Sequence, residues 1–182
     1  MIVLRARREA KRIVEAGHAK ACITLTLPDE GKPPRCLPHR TDLLWVQCGD
    51  VDEGHPNAPT LEDAQRVLDF NSAFCRPLPG DQEYVYVVHC IGGIGRSPAA
   101  VMGILAQANP RITAWYILHK TAALRDPHFG DDIIWPNLAL LKHFDTILGT
   151  DLRTATIEWR AEKNKQRALL DEKLKQEGDT SC

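Results

Sequence analysis

The chain has 182 residues, with 23 lysines and arginines against 24 aspartates and glutamates, and 43% of it is apolar. That is the size and balance of one ordinary domain able to bury a core without disulfides or metals, which excludes wholesale disorder. A near-neutral charge with no basic block argues against a dedicated nucleic-acid binder. The apolar runs stop short of the roughly 20 residues a spanning helix needs, so no membrane role is expected and the protein reads as cytoplasmic. The six cysteines (Cys22, Cys36, Cys48, Cys75, Cys90 and Cys182) form no C-x2-C pair, and the histidines show no metal-binding spacing. Free thiols are expected, with no metal and no other cofactor.

In chain order, Ile2 to Leu4 reads as a short strand. A helix follows from Arg5 to Ala16, with Ala10, Ile13 and Val14 on one face and Gly17 at its end. Cys22 to Leu27 alternates as a strand and stops at Pro28, ahead of a proline-rich loop. Leu43 to Cys48 is a further strand closed by Gly49, and residues 50–59 form a loop rich in acids and prolines. Thr60, with Glu62 and Asp63 behind it, starts a helix, because its hydroxyl can cap free amides and the acids suit the positive helix end. Leu61, Ala64, Val67, Leu68 and Phe74 supply the apolar stripe of that helix.

Tyr84 to Val88 is the most β-rich run, apolar on both faces as a central parallel strand would be. A glycine-rich turn follows it, and from Arg96 a buried helix tolerates Pro98 in its first turn. Further helices cover about 112–125 and 136–148, and Met102, Trp115 and Tyr116 read as core. The alternation implies parallel crossovers. The expected fold is an α/β domain over residues 1–150, a central, mainly parallel sheet flanked by helices, with its site at the carboxyl ends of the strands. Residues 151–182 carry seven basic and seven acidic side chains and read as a charged helical extension. Ile157, Ala161, Ala168 and Leu170 to Leu174 form its discontinuous stripe, which suits loose packing on its own domain, with a coiled coil as the alternative.

The chemistry concentrates in Val87-Val-His-Cys-Ile-Gly-Gly-Ile-Gly-Arg-Ser-Pro98. A bare C-x5-R spacing is weak, but here a buried strand ends at His89 and a helix starts at Arg96. Between Cys90 and Arg96 lie Ile91, Gly92, Gly93, Ile94 and Gly95, whose amides can turn toward one point. Such a nest binds a tetrahedral dianion. A cysteine facing a helix N-terminus, converging amides and an arginine becomes a thiolate at neutral pH, which makes Cys90 a nucleophile. Arg96 has the planar fork to grip two phosphoryl oxygens, and the Ser97 hydroxyl can stabilise the thiolate as it leaves.

The run His89-Cys90-x2-Gly93-x2-Arg96-Ser97 resembles the signature of the cysteine-dependent protein tyrosine and dual-specificity phosphatases. The order of elements around it is similar to that of the small bacterial and phage members, over about residues 1–157. The resemblance implies a phosphatase-like fold and an aspartate upstream that protonates the leaving oxygen and later activates water. Asp50 and Asp52 both sit on the loop after the Leu43 to Cys48 strand. Asp50, in its Gly-Asp-Val context, is the preferred acid and Asp52 the alternative. His89 is expected to support the loop, and Asn137 in Trp-Pro-Asn resembles a family Pro-Asn element that supports its packing.

The implied activity is hydrolysis of phosphomonoesters on phosphorylated protein or peptide through a phosphocysteine. The alternatives are a phosphate-binding interaction domain without turnover, a phosphatase of a small molecule, and sulfur transfer, against which Ser97 and the upstream aspartates argue. The loop interior lacks basic residues, which favours protein over multiply phosphorylated inositol lipids, although Arg40, Arg76, Lys120, Arg125 and His128 could form a basic rim. Cys22 and Cys48 sit in apolar strands and read as core, with a resolving thiol after oxidation of Cys90 as the alternative role of Cys48.

Overall fold

The computed structural model describes residues 1–27, 29–30, 41–74, 85–124 and 134–179, with side chains to residue 175. Four strands, β1 (Ile2–Ala6), β2 (Ala21–Thr26), β3 (Asp42–Gln47) and β4 (Tyr86–Cys90), form one sheet in the order β1-β4-β2-β3. Every pairing is parallel. Among the described residues six helices accompany them: α1 (Arg7–Glu15), α2 (Leu61–Phe74), α3 (Arg96–Ala108), α4 (Ala114–Ala123), α5 (Leu138–Leu148) and α6 (Leu152–Asp179). No helix among the described residues is long and apolar enough to cross a membrane.

Strand alternation divides the interior into two layers of packing. Ile23, Leu25, Tyr86, Val88 and Cys90 face the larger core, built with α2, α3, α5 and the start of α6. Cys22 and Val87 point the other way and pack on Ala10 and Val14 of α1. β4 is buried at all five positions, as its uninterrupted apolar run demands. The fold is therefore three-layered, and among the described residues α1 is the helix that covers the second face.

The helix start expected at Thr60 is a reciprocal cap. The Asp63 amide donates to Thr60 Oγ1 at 3.1 Å, and the Thr60 amide donates to Asp63 Oδ2 at 3.0 Å. Ala64, Val67 and Leu68 are buried beneath it, while Leu61 and Phe74 at the two ends of the helix stay exposed. Met102 is core, but Trp115 and Tyr116 are exposed, contrary to the sequence reading. Ala114, Ile117, Leu118 and Thr121 form the inward face of α4, and the two aromatics instead cover their own i+4 neighbours, His119 and Lys120.

α6 also departs from expectation. Its buried face is Leu152, Ala155, Thr156 and Trp159, in the main core, whereas Ile157 and Ala161 are exposed. The polar letters around Trp159 hid the true phase of the stripe. From Asn164 to Lys175 every residue is exposed.

Candidate active site

The loop 91–95 joins β4 to α3 at the carboxyl edge of the sheet, and three of its carbonyls are engaged. Ile91 O accepts from the Arg7 amide at 3.1 Å, Ile94 O from the Trp135 amide at 2.7 Å, and Gly95 O from the amides of Asn137 at 3.1 Å and Ala99 at 3.2 Å. In a planar trans peptide the next N–H points opposite its carbonyl. The amides of Gly92, Gly95 and Arg96 are thereby turned away from those partners. Gly93 adopts φ +69, and a Cβ there would fall 3.0 Å from the Ala6 amide nitrogen, so only glycine lets the loop rest against the end of β1.

Cys90 ends β4 and is buried, with Sγ 3.1 Å from Ser97 Oγ. Arg96, only 3% exposed, is held by a residue that sequence reasoning missed. Glu30 accepts from Nη1 at 2.8 Å and from Nη2 at 3.0 Å, and Nη1 also donates to Cys48 O at 2.9 Å. Both Nη1 hydrogens are thus used. Nε is buried with no hydrogen-bond partner among the described residues, so there Nε and the second Nη2 hydrogen remain as a paired edge. An edge of two parallel donors is what a phosphoryl group accepts bidentately.

Burial pushes the Glu30 carboxyl up, but the Arg96 hydrogen bond, the Leu27 amide and the charges of Arg96 and Arg7 outweigh it and hold it below the usual range. Arg96 responds in kind. Burial works against its charge, and the Glu30 hydrogen bond with the negative groups nearby raises it above its ordinary value. Glu30 itself is fixed by the Leu27 amide, which donates to Oε2 at 2.8 Å, and by Arg7, which donates to its carbonyl. A glutamate in a proline-rich loop carries no spacing signal, which is why Glu30 was invisible beforehand.

His89 alternates to the opposite face from Cys90, and its Nε2 meets Thr24 Oγ1 at 2.8 Å. Burial drives the ring down to about 4, partly opposed by the Cys90 backbone, so it is neutral at physiological pH and serves as an anchor between β4 and β2. Cys48 is likewise buried. Burial, then the Asp63 charge, push its thiol up to about 12 against the pull of Arg96, which leaves it a weak attacking group for disulfide exchange.

The loop after β3 brings Asp50 against Gly95 of the loop 91–95. A Cβ placed on Gly95 would stand 2.6 Å from the Asp50 carboxyl carbon, so the missing side chain of Gly95 is the space the carboxylate occupies. Asn137 donates from Nδ2 to Asp50 Oδ1 at 3.1 Å and to Val51 O at 3.2 Å, while its Oδ1 caps α5 by accepting from the Leu140 amide at 2.9 Å. Lys142 pairs with Glu53, and His143 lies 2.9 Å from Pro59 O, which ties the far side of the same loop to α5. Asp52 lines the same cleft but is exposed.

That cleft, of about 460 Å3, opens beside Gly95 between Ile94, Trp135, Leu138 and Arg160. Of the residues expected at a basic rim, Lys120 lies elsewhere, lining a separate hollow with Ile2 and Leu105 at the opposite end of the sheet. Arg40, Arg76, Arg125 and His128 fall outside the described residues.

This arrangement of a parallel sheet and flanking helices recurs among solved structures. The fold is that of the dual-specificity phosphatases. Human DUSP28 superposes with a TM-score of 0.57 at 13% identity, over 88% of this chain and 94% of that chain. PTPMT1 in complex with PI(5)P gives 0.53 at 16%, over 90% and 94%. OH1 from the Orf virus, a tyrosine phosphatase, gives 0.53 at 17%, over 81% and 82%. No family model and no curated relative matches the chain.

Proposed function

We propose that this chain hydrolyses phosphomonoesters on tyrosyl and related side chains of protein or peptide through a phosphocysteine. The observation that carries the reading is the Nε/Nη2 edge of Arg96, which has no partner among the described residues, at the end of a loop whose Ile91, Ile94 and Gly95 carbonyls are bonded elsewhere. In the first step the Cys90 thiolate attacks phosphorus, the bond to the leaving oxygen breaks, and Asp50 gives that oxygen its proton. In the second, water attacks phosphorus, Asp50 takes back a proton, and the thiolate departs against the Ser97 hydroxyl, releasing inorganic phosphate. Arg96 and the loop amides hold the equatorial oxygens throughout. Ile94, Trp135 and Leu138 give the adjoining cleft apolar walls, which suit an aryl leaving group.

The test is turnover of p-nitrophenyl phosphate and a phosphotyrosyl peptide in the presence of chelator. Cys90→Ser should abolish it, and Asp50→Ala should lower peptide turnover about 10²- to 10⁴-fold. Loss on Asp52→Ala with Asp50→Ala unaffected would move the acid by two residues. Binding of phosphopeptide without turnover by reduced protein would replace the enzyme with a phosphate-reading interaction domain.

A further inference from the structure

α6 supplies one charged side chain to the site, although its sequence reads as a solvated extension. Arg160 lines the cleft beside Asp50, Asp52 and Gly95. Its Nη2 donates to Pro136 O at 2.6 Å, and its guanidinium carbon lies 4.7 Å above the Trp135 ring. Arg160 thus grips two consecutive residues of the Trp135-Pro136-Asn137 segment.

The same three residues hold both halves of the site. The amides of Trp135 and Asn137 bind the phosphate-loop carbonyls of Ile94 and Gly95, and the Asn137 side chain binds the Asp50 carboxylate. Burial works against the charge of Arg160, while Asp52 and then Asp50 favour it, so the cation is poised near the acid as well as behind the segment that orients it. A guanidinium stacked on indole and bonded to a carbonyl is a rigid fixture, and its removal frees the segment on the side facing the acid.

We propose that Arg160 is a positioning residue for the proton-transfer step, acting through Trp135 and Asn137 to keep Asp50 over Gly95. This rests on Cys90 as nucleophile and Asp50 as acid. The role predicts a specific signature, because a leaving group that is already a good anion needs little help from the acid and a poor one needs it fully.

The experiment compares kcat/KM for p-nitrophenyl phosphate and phenyl phosphate in the full chain, with inorganic phosphate as competitive inhibitor. Arg160→Met should lower phenyl phosphate turnover about 10-fold more than p-nitrophenyl phosphate turnover while the phosphate inhibition constant stays within about 2-fold. In an Asp50→Asn background the added Arg160→Met should leave the ratio of the two esters unchanged, since the group it positions is gone. Equal losses on both esters, weakened phosphate binding, or a further change of the ratio in the Asp50→Asn background would overturn the proposal. Arg160→Lys keeps a cation near Trp135 and should shift the ratio in the same direction by less, which keeps the test open if the methionine variant does not fold. If Asp50→Asn alone leaves the ratio unchanged, the acid assignment fails and the proposal falls with it. If Asp50→Asn changes the ratio and neither Arg160 variant does, only the role of Arg160 falls.

Discussion

Glu30 takes Arg96 by the end of its guanidinium, through Nη1 and Nη2 at 2.8 and 3.0 Å, and leaves the Nε side of the fork without a partner. The carboxylate therefore orients the arginine without covering the edge that would meet phosphate. Glu30→Gln keeps the shape but loses the charge and one acceptor, and charge-assisted bonds of this kind contribute about 1.5–3 kcal/mol. The expected outcome is about a 10-fold weaker inhibition constant for inorganic phosphate, with Arg96→Lys at least as severe because an ammonium has no fork. Unchanged phosphate affinity in Glu30→Gln would show that the clamp is not needed.

Gly95 is small because Asp50 sits where its side chain would be. Gly95→Ala should push the carboxylate off the loop while Cys90 and Arg96 keep their contacts. Turnover of phenyl phosphate should then fall toward the level of Asp50→Asn, and p-nitrophenyl phosphate should be spared in comparison. A Gly95→Ala protein with wild-type kinetics on both esters would place Asp50 elsewhere in solution.

His89 makes stability depend on acid. Its folded value of about 4 lies below the ordinary 6.5, so between these the unfolded chain takes up a proton that the buried ring refuses. Stability contributed by the neutral ring is intact above about pH 6.5, declines as pH falls toward 4, and is lost below it, by on the order of 3 kcal/mol in all. Urea denaturation at stepped pH values should show this slope in the wild type, and His89→Gln should flatten it. A slope unaltered by that substitution would assign the acid sensitivity to other groups.

Gly103 of α3 lies against the Phe144 ring, and a Cβ would come within 2.7 Å of its carbons. Gly103→Ala improves helix propensity but overpacks the α3–α5 contact, and the second effect is larger, about 1–3 kcal/mol against less than about 1. The variant should melt earlier in calorimetry while each native molecule keeps its phosphate affinity. A melting temperature equal to or above wild type would mean that Phe144 moves aside freely.

The parallel sheet was legible because β2, β3 and β4 are written in apolar runs bounded by Pro28, Gly49 and the glycines after Cys90. The turn from β4 through the glycines into α3 was legible for a related reason, since local spacing dictates local backbone. Glu30 and Arg160 were not, because each reaches its partner across the fold, 66 residues in the case of Glu30 and Arg96. Contacts between distant parts of the chain leave no periodicity. Trp115 and Tyr116 misled in the opposite sense, since aromatic letters in a helix imply burial only when the helix turns them inward.

The outer part of α6, from Asn164 to Asp179, continues in line with a root anchored by Trp159 and spans roughly 24 Å at the helical rise. A reporter or second protein joined at its tip would ride on a stiff spacer, not a slack tether. Its separation from the cleft would be a nearly fixed length, so a donor dye there and an acceptor on a bound phosphopeptide would read occupancy as a single distance.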